Sequence, residues 1–166
     1  MQTGSKHEYL WRRSVGADGT NRKFSQSILI IRILVAGVFI SEGIQKFLFA
    51  DALGAGRFIK IGIPLPNNMA PFVGVVEIVC GGLFLLGLLT RIAAIPLIID
   101  MLVAILPTKI PIFLEKGFWA MAHEARVDWS MFLGSIFLFI VGSGAWSLDA
   151  LFDRRANIPD SLEQEQ

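Results

Sequence analysis

Five ionisable residues stand inside long apolar runs of this chain: Arg32, Glu42 and Lys46 in the first run, Glu77 in the second and Asp100 in the third. A charge near the bilayer centre costs ~2.5–3.5 kcal/mol on insertion scales, so residues of this kind are expected to serve a purpose. Carboxylates and amines in a dry interior suit two tasks, holding a polar ligand group and relaying protons. Three acids against two bases leave one carboxyl unbalanced, the composition of a proton relay. A structural reading stands beside this one. Glu42 and Lys46 are an i,i+4 pair in the favourable order, and Glu77 could pair with Arg32, so that buried salt bridges simply tie helices together.

The runs that carry these charges have the length of membrane spans. A ~30 Å hydrocarbon core takes ~20 helical residues, and the apolar stretches predict spans at about 28–49, 69–90, 92–106 and 129–146. The first is too long for the h-region of a signal peptide and lacks a small-residue cleavage site, so it reads as an uncleaved span. The third is short unless it continues with a kink through Pro107. Asn67 and Asn68 offer caps for the second, with Pro71 in its first turn. The expected fold is therefore an all-α, integral membrane four-helix bundle in three parts: a polar cytoplasmic segment 1–27, a membrane domain 28–155 and a disordered tail 156–166.

Composition agrees. Charged residues make up 17% of the 166, against a usual ~25%, and mean hydropathy is +0.60. A net charge of +1 provides no field to attract nucleic acid. One cysteine, Cys80, allows no internal disulfide and no CxxC pair, and the two histidines, His7 and His123, lie outside the apolar runs. A bis-histidine haem and a Cys/His zinc site are thus not expected, and no metal ligands are assigned. Any redox group would be borrowed.

Lysines and arginines set the expected orientation. With the N-terminus inside, the inner segments hold Lys6, Arg12, Arg13, Arg22, Lys23, Arg91, Arg154 and Arg155, and the outer loops hold Arg57, Lys60, Lys109, Lys116 and Arg126. This bias favours cytoplasmic termini. The two outer loops are apolar at 58–63 and at 110–114 with 118–121, which predicts interfacial segments on the outer leaflet. Ser147-Leu148-Asp149 reads as the cap of a short helix through Arg155.

Glu42 lies ~10 Å and Glu77 ~12 Å below the outer boundary, so the two carboxylates share a depth, with Lys46 above them and Asp100 near the midplane. Arg32, Phe39, Glu42, Gly43 and Lys46 share one face of the first helix, Gly74 and Gly81 flank Glu77, and Ala93, Pro96, Ala104 and Pro107 surround Asp100. Small residues beside charges mark close-packed inner faces. Glu42, Lys46, Glu77, Asp100 and Arg32 are therefore the candidate ligand-binding or proton-relay residues, Gly43, Gly74 and Gly81 the close-packing ones, and His123 a candidate at the pocket mouth.

Ile31-Arg32, the stretch Glu42-Gly43-Ile44-Gln45-Lys46-Phe47, Glu77, Gly81-Gly82, Gly87-Leu88-Leu89-Thr90-Arg91 and the closing Gly142-Ser143-Gly144-Ala145-Trp146-Ser147-Leu148-Asp149 together resemble the DoxX family of small four-helix membrane proteins. The resemblance runs from about 28 to 153. It implies four transmembrane helices in a bacterial inner membrane, with Arg32, Gly43, Lys46, Glu77 and Arg91 as matching positions. Where many members carry a histidine before the Gly43 position, this chain has Glu42. The family takes its name from a subunit of an archaeal thiosulfate–quinone oxidoreductase, and other members are linked to thiol and oxidative-stress systems.

The functional expectation that follows is a membrane subunit of a redox system, without an intrinsic cofactor, that binds a quinone or similar amphipathic ligand while a soluble or membrane partner supplies electrons. The alternatives are a small proton-coupled transporter acting as a homo-oligomer and a non-catalytic assembly protein. The lipid bilayer is the constant partner in all three.

Overall fold

The computed structural model describes the backbone of residues 6–156 and the side chains of 24–153 and 155; most of the expected 156–166 tail lies outside the described residues. Helix follows helix, with no strand among the described residues: α1 (Lys6–Leu48), α2 (Ala55–Lys60), α3 (Pro66–Leu86), α4 (Thr90–Lys116), α5 (Phe118–Val141) and α6 (Leu148–Ala156). In hydrocarbon every backbone N–H and C=O must be satisfied within the segment, and the helix does this locally. Three stretches are long and apolar enough to cross a membrane: Phe24–Leu48, Pro66–Leu86 and Thr90–Lys116.

The long helices pack as two antiparallel pairs, α1 with α3 and α4 with α5, joined mainly through α3 and α4. α2 rests on α3, and α1 meets α5 along a narrower seam. The core is built from small and branched apolar residues such as Val35, Ala36, Phe39, Phe84, Ala94, Leu97 and Leu138. Outside it, Ile33, Phe72, Val79, Ile95, Ile99, Leu106 and Ile140 are exposed. A water-soluble protein does not leave such a belt open; a bilayer covers it.

Glycine sets the distance between α1 and α3. A Cβ on Gly43 would stand 2.7 Å from the Gly74 carbonyl oxygen and 2.8 Å from Ile78 Cγ1. A Cβ on Gly74 would meet the Phe47 ring at 2.8 Å, and one on Gly81 would meet Ile40 Cγ1 at 2.9 Å. With no hydrophobic force between helices in lipid, this close backbone approach is what holds them.

Several expected boundaries move. α3 starts at Pro66, with Leu65 in the left-handed region and no side-chain cap, so neither Asn67 nor Asn68 caps it. The third helix does not stop at 106. α4 runs through Pro107 and Pro111 to Lys116, and a single residue, Gly117 at φ 81°, separates it from α5. Residues 110–114 and 118–121 thus belong to two helices in place of an outer interfacial segment. Each proline frees only one N–H, and the α4–α5 pairing outweighs that loss. Lys109 reinforces it, donating to Glu124 O at 3.1 Å and pairing with Asp128 Oδ2 at 2.8 Å. α5 lies upstream of the expected 129–146: it spans 118–141, with Trp129 inside it and Trp146 beyond its end. The short final helix is as expected, with Ser147 Oγ accepting from Ala150 N at 3.1 Å as its cap.

Candidate functional site

Because the glycine contact brings α1 so near α3, a lysine one turn beyond Gly43 reaches a carboxylate one turn beyond Gly74. Lys46 Nζ lies 2.6 Å from Glu77 Oε2, with Glu77 1% exposed. Asp100 of α4 brings its carboxyl up to Glu77, within range of a side-chain hydrogen bond, and lies close enough to feel the charges of both Lys46 and Glu42. A hydrogen bond between two carboxyl groups holds one proton. Asp100 Oδ2 is buried with no hydrogen-bond partner. Glu42 is half-buried on the same side of α1. Four titratable side chains from three helices therefore meet in one apolar interior.

The pairing differs from the simplest expectation. Lys46 reaches across to Glu77 in place of its i,i+4 neighbour Glu42, because a partner on a touching helix is desolvated with it while Glu42 keeps some exposure.

Arg32 does not join this group. It sits fourteen residues earlier on α1, ~21 Å along the axis, and its guanidinium is consumed by backbone. Nε donates to Phe84 O at 2.8 Å and Nη2 to Leu85 O at 2.8 Å, while Nη1 donates to Ser143 O at 2.9 Å and Trp146 O at 2.8 Å. These carbonyls belong to the C-terminal end of α3 and the turn after α5, where a helix end leaves acceptors unpaired. Arg32 is 1% exposed. The role expected of it, binding ligand or relaying protons beside Lys46, is replaced by that of a clasp that closes this end of the bundle. Gly87 makes the room: at φ 67° it caps α3, and a Cβ on it would land on the guanidinium. Asp149 completes the clasp, accepting from Leu89 N at 3.0 Å through Oδ1.

His123 is exposed on α5, and its carbonyl takes a hydrogen bond from the Arg126 guanidinium. Its neighbour Glu124 meets Lys109, ~13 Å along α4 from Asp100. No contact links the imidazole to the four-residue cluster. Lys109, read from sequence as a loop charge, is buried; the triplet Glu124, Arg126 and Asp128 ahead of Trp129 was the available sign that a cation had to face it.

A helical membrane protein with a polar cluster buried between its spans is the class that this arrangement defines. The chain belongs to the DoxX family, whose pattern matches residues 27–110. Among curated relatives it is 54% identical to an uncharacterized membrane protein of Mycobacterium tuberculosis over 152 residues, covering 88% of this chain and 90% of that one. It is 30% identical over 129 residues to a Bacillus subtilis protein named "Putative oxidoreductase CatD", covering 78% and 89% of the two chains. An uncharacterized Haemophilus influenzae protein is 33% identical over 132 residues, 77% and 92% of the two. No solved structure matches the chain.

Proposed function

We propose that this protein is the membrane subunit of a quinone-linked redox system, with α5 as a fourth span, both termini cytoplasmic and the bacterial inner membrane as its site. The observation that carries the reading is the Lys46–Glu77 pair at 2.6 Å with the unpartnered Asp100 oxygen beside it. The donor set fits a quinone headgroup. An ammonium offers hydrogen bonds to a carbonyl oxygen, and a carboxyl pair gives or takes the protons that accompany reduction. Reduction to the quinol takes two electrons, supplied by a partner redox protein, and two protons, for which Glu77 and Asp100 are the local carriers. The name of the Bacillus subtilis relative supports an oxidoreductase setting.

The test is retention of quinone. Protein purified in mild detergent and extracted with organic solvent should release an isoprenoid quinone, and a Lys46→Met, Glu77→Gln double variant that still folds should release far less. Equal release from both proteins would overturn the reading. Absence of quinone, together with proton flux in proteoliposomes that collapses on Asp100→Asn, would replace it with transport.

A further inference from the structure

The second feature of this molecule lies at the Arg32 end, away from the cluster. A cavity of about 540 Å³ opens between the start of α4, the turn after α5 and helix α6. Leu89, Ile92, Val141 and Phe152 form its apolar walls, and Arg91, Asp149 and Asp153 stand in it as charges of both signs. Its depth is set by the spans: α3 ends at Leu86 and α4 begins at Thr90, so the cavity sits where two membrane-crossing helices reach the polar layer.

Arg91 is an exposed guanidinium with one recorded hydrogen bond, Nη2 to Ile140 O at 3.2 Å, out of five donors. Gly142 leaves it room, since a Cβ there would stand 3.4 Å from Arg91 Nε. Thr90, 1% exposed, is in the same wall, and its hydroxyl has no hydrogen-bond partner. The wall thus carries unused donors at the N-terminus of a 27-residue helix, where the helix dipole favours an anion. The carboxylates act the other way. Asp149 gives Oδ1 to Leu89 N, which leaves Oδ2 for another donor, and Asp153 lies farther along α6. A simple anion would be attracted by Arg91 and repelled by both. A group carrying a phosphate and a primary ammonium together satisfies both halves.

We propose that this cavity binds the headgroup of a zwitterionic aminophospholipid, with phosphate on Arg91 and ammonium on Asp149 and Asp153. A primary ammonium donates hydrogen bonds to carboxylates, whereas a trimethylated one cannot, so phosphatidylethanolamine is held over phosphatidylcholine. The site is independent of the quinone reading.

The full chain, delipidated in dodecyl maltoside, is titrated with phosphatidylethanolamine, phosphatidylglycerol, phosphatidylcholine or free phosphoethanolamine while the unfolding temperature is followed. A ligand that binds only the folded state raises that temperature. Phosphatidylethanolamine should give the largest rise, with apparent affinity ~10-fold above phosphatidylglycerol, as one charge-assisted hydrogen bond would supply. Free phosphoethanolamine should bind more weakly, because the apolar walls then go unused. Arg91→Met should abolish the rise while leaving quinone release unchanged, and Asp153→Asn should bring the two lipids to near-equal affinity. Equal effects of all three lipids on the unaltered protein, or an unchanged preference in Asp153→Asn, would overturn the assignment.

Discussion

Lys46 on α1 and Glu77 on α3 are thirty-one residues apart in the chain and 2.6 Å apart in space. They meet because Gly43 and Gly74 let two backbones nearly touch one turn away. The pair is the only contact in the cluster between opposite charges within 4 Å among the described residues, and two further acids surround it.

That imbalance makes the two single variants unequal. Lys46→Met leaves Glu42, Glu77 and Asp100 without a cation, and breaking a buried pair in this way costs ~3–5 kcal/mol. Glu77→Gln leaves Lys46 close to Asp100, so re-pairing should make the loss smaller. Unfolding of both variants in detergent micelles checks the order; a larger loss for Glu77→Gln would contradict the geometry.

Substitution of the packing glycines should separate two kinds of position. Gly43→Ala or Gly74→Ala forces a methyl into a neighbour and should cost ~1–3 kcal/mol. Gly82, where a Cβ would meet nothing within 4 Å, should accept alanine with no loss or a gain of ~0.5–1 kcal/mol. Thermal unfolding of the three variants measures this directly, and quinone release should fall with Gly43→Ala even in the folded fraction.

Arg32→Lys tests the clasp. A lysine ammonium has three donors and no planar fork, so it cannot serve carbonyls from α3 and from the turn after α5 together. The variant should lose ~2–4 kcal/mol, since more than one buried acceptor goes unpaired. The folded fraction should release quinone as the unaltered protein does, because Arg32 sits far from Lys46.

Whether α5 crosses the membrane is checked by side-specific labelling. With Cys80 replaced by serine, Glu115→Cys at the α4–α5 hairpin should react with an impermeant maleimide from the periplasmic side. Ala145→Cys, beyond the other end of α5, should react from the cytoplasmic side. Labelling of both positions from one side would remove the fourth span.

Asp149→Ala removes the side chain that accepts from Leu89 N, where the backbone enters α4 from a left-handed residue at φ 49°. The expected loss is ~0.5–2 kcal/mol, the range for a helix cap. Hydrogen exchange at the first turn of α4 should rise with it.

The primary structure by itself determined that this chain is helical, that it enters a bilayer, and that charged faces with small neighbours turn inward. Those properties follow from local physics. Apolar runs near 20 residues must satisfy their backbone internally, and a charge in such a run must find a polar environment. It could not determine which charges meet. Lys46 had a partner within one turn, Glu42, and takes Glu77 instead, a choice made by the closeness of two glycine-lined helices. Arg32 carried the same intramembrane signal as Lys46, yet its donors are spent on carbonyls that become available only where α3 and α5 end together. Pro107 and Pro111 looked like a helix end in one dimension; packing against α5 keeps the helix going, because the contacts along two long helices outweigh two missing hydrogen bonds. Pair identity, and with it the location of the polar cluster, is a property of how helices cross, and the crossing exists only in the tertiary structure.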